Sequence, residues 1–238
     1  MLQVPPALLA SWYIINYMNI TVLFDMDGVL VQSEHLWDTM EPPYLNKILA
    51  PDIAKRIIGN TRGCSVSIIF ETAKKYGYTG SKEQFYSGYY PLGEQIYSQA
   101  PITSGMEDLI KKLHDDGATI GLVSSSCKPW ILAVVDRMKT SGKYFQFIES
   151  VDDHPELRPK PSPDGYLAAM KELHADPTKT IIIEDSQTGI NAALATKTYA
   201  CCFTAHAEEP YARGAHVYAK TVSELESAIY DFANSALK

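Results

Sequence analysis

Ile20-Thr21-Val22-Leu23-Phe24-Asp25-Met26-Asp27-Gly28-Val29 joins a β-branched and aromatic run to two carboxylates spaced two residues apart. A run of this kind reads as an interior strand. Carboxylates at its C-terminal end then lie at the sheet edge where open α/β proteins bind ligands, and Gly28 permits a tight turn there. Of two such carboxylates, one can serve as a nucleophile and the other as a proton donor, provided their environments hold their pKa values apart.

Outward from this strand the pattern changes twice. Ser33 to Leu49, Asp52 to Ile58, Ser65 to Tyr76 and Ser81 to about Gln99 carry helical apolar spacing, broken by Gly59, Gly63, Gly77 and Gly80. From Pro101 onward helices and strands alternate. Helices are expected at 104–116, 128–140, 163–174, 187–196 and 222–234, and strands at 118–124, 146–151, 180–184, 198–203 and near 216–218. Such alternation predicts a parallel sheet covered on both faces. The expected architecture is therefore α/β: a Rossmann-like parallel sheet core of residues 20–33 and 101–238, with an inserted helical-bundle cap at 34–100. Residues 1–19 are read as an N-terminal extension.

The 238 residues carry a formal net charge of -7, with 46% hydrophobic and 21% charged residues. This is the composition of a soluble globular protein, and its acidity disfavours nucleic acid and acidic membrane as partners. Cys64, Cys127, Cys201 and Cys202 show no CxxC spacing and are read as reduced thiols of a cytoplasmic protein. The apolar residues 2–17 lack a basic n-region, since no Lys or Arg precedes Lys47, and Pro5, Pro6 and Asn16 interrupt them. They are too short to span a bilayer, and Met18 offers an alternative start.

Three further polar sites fall at strand ends or helix starts. Ser124-Ser125-Ser126 follows the run Thr119–Val123 and offers hydroxyl and amide donors suited to a phosphoryl oxygen, or to capping the next helix. Arg158-Pro-Lys160-Pro-Ser162 holds an ammonium between prolines, suited to neutralising a carboxylate nucleophile together with a phosphate. Thr180-Ile-Ile-Ile-Glu184-Asp185-Ser186 ends a third apolar strand in hard oxygen ligands of the kind Mg²⁺ takes, although Asp185 or Ser186 can equally cap a helix.

Taken in order, Asp25-x-Asp27-Gly28, Ser124, Lys160 and Glu184-Asp185 resemble the four motifs of the haloacid dehalogenase superfamily, in the branch with a helical cap after the first core strand. The resemblance covers about residues 20–235. It implies that Asp25 attacks phosphorus and that Asp27 protonates the leaving oxygen and then activates water. It implies Mg²⁺ as cofactor, held by Asp25, Asp185, the carbonyl of Asp27, and Glu184 through water. Ser124, with Ser125 beside it, and Lys160 are the implied phosphate contacts. Dehalogenases of the family lack an acid where this chain has Asp27, so a phosphatase or phosphomutase is expected.

In the cap, Glu34, His35 and Trp37 are similar to the entry of sugar-phosphate phosphatases, and Arg62 resembles an arginine with which beta-phosphoglucomutases hold a second phosphate. Residues 83–110 contain no Lys or Arg, and Trp37 stands where that family has a cap histidine. A bisphosphate needs cationic contacts at both ends, so these departures favour hydrolysis. The partner expected is a small phosphorylated metabolite, a sugar phosphate, acted on by a monomer. A non-catalytic binding protein is disfavoured because Asp25 and Asp27 are both present.

Overall fold

The computed structural model describes residues 18–61, 64–207 and 211–236. The expected extension before Met18, and Arg62, lie outside them. A six-stranded sheet runs in the order β3-β2-β1-β4-β5-β6. Its strands are β1 Thr21–Phe24, β2 Thr119–Ser124, β3 Phe147–Ser150, β4 Thr180–Glu184, β5 Tyr199–Phe203 and β6 Val217–Ala219. Every pairing is parallel, with Phe24 of β1 opposite Leu122 of β2 and Ile183 of β4. The run read as an interior strand is the central one. Its residues alternate between two apolar layers, Val22 and Phe24 in one and Leu23 in the other, as a sheet buried on both faces requires.

Between β1 and Pro101 come four helices and, among the described residues, no strand of the sheet: α1 Glu34–Ile48, α2 Pro51–Ile57, α3 Val66–Lys75 and α4 Lys82–Gln99. α1 continues through Pro42 and Pro43, and α4 through Pro91. Proline in a helix interior forfeits a backbone bond, so packing must sustain these helices. Leu45 and Phe85 are fully buried, and the aromatic rings of Phe70, Tyr78, Phe85 and Tyr89 form a chain of contacts at 5.1 to 6.4 Å.

Five helices follow: α5 Met106–Asp115, α6 Lys128–Arg137, α7 Asp164–Glu172, α8 Gln187–Ala195 and α9 Val222–Ala236. α6 ends three residues short of its expected limit, because the chain turns at Met138 toward a short 3₁₀ segment, Gly142–Tyr144. α4 lies directly on α6: Trp130 covers Gly93, where a Cβ would stand 2.1 Å from the indole. Met18 is also packed, buried and donating its amide to the Asp116 carbonyl at 2.7 Å.

Candidate active site

β1, β2 and β4 are neighbours in the sheet, so their C-terminal ends bring Asp25, Ser124 and Glu184 together at the point where strand order reverses. The Asp25 amide extends the ladder by donating to Ile183 O at 2.9 Å, which fixes its backbone to β4. Beyond it the chain turns at Gly28, whose φ of +73° and whose Cα, close against Asp185, leave no room for a side chain.

Lys160 reaches into this cluster as a buried side chain that also lines the cavity beside Asp25 and Asp185. Its Nζ donates to Asp25 Oδ1 at 2.5 Å and to Glu184 Oε1 at 2.6 Å, and lies 4.9 Å from the Tyr166 ring centre. Burial alone would lower its pKa, but Asp25 and Glu184 outweigh that and hold the ammonium well above the ordinary lysine value. Burial pushes the Asp25 carboxyl up to about 8; Lys160 opposes the rise, and Glu184 and Asp27 add to it. Asp185 is raised by the same causes, burial first and then Glu184 and Asp25. Glu184 accepts from Lys160 and Tyr166 on Oε1, and from the Asp185 amide and the Ser186 hydroxyl on Oε2. It therefore braces the lysine.

Asp27 has different surroundings. Its Oδ1 accepts from Ser33 and from Tyr97 at 2.9 Å, and its Oδ2 from Ser126 at 3.3 Å. Ser33 occupies the N-cap position of α1 but makes no capping bond, because its hydroxyl serves Asp27. Burial raises the Asp27 carboxyl and the hydroxyls pull it back. Two cavities meet at this residue. One holds Asp25, Lys160 and Asp185; the other, under the helices, is lined by Trp37, Glu41, Tyr89, Tyr97 and Trp130. Asp27, Glu34 and Ser125 line both.

The remaining expected residues separate. The Ser124 hydroxyl accepts from the Ser126 amide at 3.0 Å and is buried, whereas Ser125 lines both cavities. Trp37 lines the pocket under the helices, while His35 is exposed and borders another cavity beside Gln99 and His206. Sequence reasoning passed over Glu41, buried on α1 with Tyr89 donating to Oε1 at 3.0 Å and Thr61 donating to Oε2. Tyr89 and Tyr97, both buried on α4, each place the hydroxyl on a carboxylate. For Glu41 the signal available was only its spacing, four residues from both Trp37 and Leu45 on α1; its burial and its partners come from the tertiary structure.

The strand order and this cleft together define a doubly wound α/β protein in which carboxylates gather around the buried Lys160 at the C-terminal ends of the central strands. The sequence profile of the haloacid dehalogenase-like hydrolases matches residues 22–202. The chain belongs to that family. It is 28% identical over 180 residues to a bifunctional riboflavin kinase/FMN phosphatase of Arabidopsis thaliana, covering 74% of this chain but only 46% of that protein. It is 25% identical over 188 residues to hexitol phosphatase B of Escherichia coli strain K12, covering 75% and 80% respectively. Its fold superposes on beta-phosphoglucomutase from Clostridium difficile with a TM-score of 0.71 at 22% identity, covering 91% of this chain and 98% of the other.

Hydrolases of this family generally use a divalent metal, and the residues present fit one. Asp25, Glu184 and Asp185 each offer a carboxylate oxygen within 4.8 Å of the others. Their mutual repulsion and hard oxygen chemistry suit a divalent cation.

Proposed function

We propose that this protein is a Mg²⁺-dependent phosphatase that hydrolyses a small sugar phosphate monoester through an aspartyl phosphate on Asp25. The observation that carries this reading is the pairing of Asp25 with the buried Lys160 beside Asp27, which stands where the two cavities meet. Oδ of Asp25 attacks phosphorus while the ester oxygen departs, and Asp27 passes its proton to that oxygen to release the alcohol. Asp27, now a carboxylate, takes a proton from water as the water attacks phosphorus. The Asp25–phosphorus bond breaks, returning the carboxylate and inorganic phosphate. Lys160, with donors from the Ser124–Ser126 turn, holds the phosphoryl oxygens, and Lys160 also offsets the charge on Asp25. Mg²⁺ bound by Asp25, Asp185 and the Asp27 carbonyl, with Glu184 through water, would supply the positive charge that brings two anions together.

The helices of residues 34–100 act as a cap that covers the leaving group. The aromatic and carboxylate lining, from Trp37 and Trp130 to Glu34 and Glu41, suits a neutral hydroxylated group. Relatives named for hexitol phosphates and for phosphorylated carbohydrates support that substrate class. We read the protein as a cytoplasmic monomer, in keeping with four free cysteines; no described helix is long and apolar enough to cross a membrane.

The test is a panel of sugar monophosphates, including beta-glucose 1-phosphate, incubated with protein and Mg²⁺ while phosphate release and glucose 6-phosphate formation are followed in parallel. Phosphate release ranks the substrates and supports the reading. Isomerised product without phosphate would replace it with a mutase and make Arg62 the first residue to probe.

A further inference from the structure

Tyr97 sits near the end of α4, fully buried, and its position is fixed at three places. Its carbonyl accepts from the Arg137 guanidinium, which also donates to Ala100 O at 2.8 Å. Its ring packs against Trp37 and Trp130, with centroids at 6.0 and 5.6 Å. Its hydroxyl lies 2.9 Å from Asp27 Oδ1, 3.1 Å from Oδ2 and 2.9 Å from Ser126 Oγ.

The direction of these bonds follows from donor chemistry. The Trp37 indole N–H, 3.4 Å from the phenol oxygen, can only donate. The phenol oxygen therefore accepts there, and of the acceptors within reach of its single proton, Asp27 and Ser126 Oγ, the carboxylate is the stronger. Ser33 donates to the same Oδ1, so that oxygen carries two donors, while Oδ2 carries the longer contacts. The arrangement holds Oδ1 by the two shorter bonds and leaves Oδ2 the less tightly held oxygen. Ser126 is itself anchored, its amide donating to Ser124 Oγ and its carbonyl accepting from Ser150 at 2.8 Å.

We propose that Tyr97 is a positioning residue for Asp27: the α4 phenol locks the acid's Oδ1 so that Oδ2 faces the departing ester oxygen. The proposal rests on the phosphatase reading, in which Asp27 protonates the leaving group. A general acid contributes roughly 100- to 10,000-fold when the leaving group is poor, and little when the leaving group departs readily as an anion. A residue that only supports packing would affect both kinds of ester alike.

The experiment compares kcat/KM, which reports the steps through ester cleavage, for glucose 6-phosphate and p-nitrophenyl phosphate in wild type, Asp27→Asn and Tyr97→Phe. With Tyr97→Phe, kcat/KM for glucose 6-phosphate is expected to fall about 10-fold or more, and that for the nitrophenyl ester by less than about 3-fold. Equal losses on both esters, or none, would overturn the proposal. Retained nitrophenyl cleavage also reports that the variant folds. Should Tyr97→Phe not fold, Ser33→Ala removes the other donor to the same Oδ1 and is expected to give the same selectivity; an unselective loss there overturns the proposal too. A wild type inert toward the nitrophenyl ester and the whole panel of sugar monophosphates, or an Asp27→Asn variant with no leaving-group selectivity, would remove the phosphatase reading and this inference together. Selectivity in Asp27→Asn but not in Tyr97→Phe removes the inference alone.

Discussion

Asp25, Asp27, Glu184 and Asp185 bring four carboxylates around the ammonium of Lys160, and this imbalance has a thermodynamic consequence. Burial lifts Asp25 to about 8 and raises Asp185 as well. In the unfolded chain both titrate as ordinary aspartates near 4. Between those values the folded protein binds more protons than the unfolded chain, so without metal its stability falls as pH rises from about 4 toward 8. A divalent cation favours the ionised carboxylates and reverses that loss. The gain in Tm on adding Mg²⁺ should therefore be larger near pH 8 than near pH 5, and EDTA should abolish it; calorimetry with and without EDTA measures it. An equal gain at both values would show that the cation binds elsewhere. The residues most legible in the sequence were these same acids, because each pair directly follows an apolar run that forms a central strand of the sheet. Which of Ser124, Ser125 and Ser126 faces which cavity was not legible, since the turn that rotates them is set by the bond from the Ser126 amide to Ser124 Oγ.

At the scale of elements, the contact of α4 with α6 holds the site's helical wall. Gly93 lets the Trp130 indole lie against the α4 backbone, and that indole donates to Tyr90 O at 3.2 Å and packs on Tyr97. Gly93→Ala would force the indole or the helix to shift. Overpacking of this kind costs about 1–3 kcal/mol, readable by urea unfolding, and should lower kcat/KM because the ring that moves also lines the pocket. Unchanged stability would mean that the two helices are not rigidly seated. The helices themselves were legible from apolar spacing, but not the polar ends of their aromatics. Tyr89 and Tyr97 occupy core positions and satisfy the periodic pattern whether or not their hydroxyls reach a carboxylate. Glu41 was hidden for the converse reason: on a helix an acid reads as a solvated face, and only tertiary structure supplies Thr61 and Tyr89.

Across the whole molecule, the helical insertion meets the sheet core through polar ties as well as apolar packing. Asp152, just after β3, accepts from Ser67 Oγ at 2.8 Å at the N-terminal end of α3, where helix amides favour an anion. Asp152→Ala removes a carboxylate at a helix N-terminus and should destabilise the protein by about 0.3–1 kcal/mol. It should also raise KM more than it lowers kcat, because the tie seats the wall beside Ser65 that lines the leaving-group pocket. Steady-state kinetics checks this, and an unchanged KM would confine the tie to stability. The parallel sheet followed from the alternation after Pro101 and the inserted helices from the apolar spacing before it, whereas the order of the strands and the seating of one part on the other depend on contacts such as Ser67 to Asp152, 85 residues apart, which no local pattern encodes.

The central claim is that Asp25 is the nucleophile, and the most direct measurement is phosphate release from the best ester of the panel by wild type and Asp25→Asn, side by side with Mg²⁺. The substitution removes the nucleophilic charge with little change in volume. Turnover should fall at least about 1,000-fold while circular dichroism shows the fold retained. Near-normal release by the folded variant would contradict the covalent mechanism.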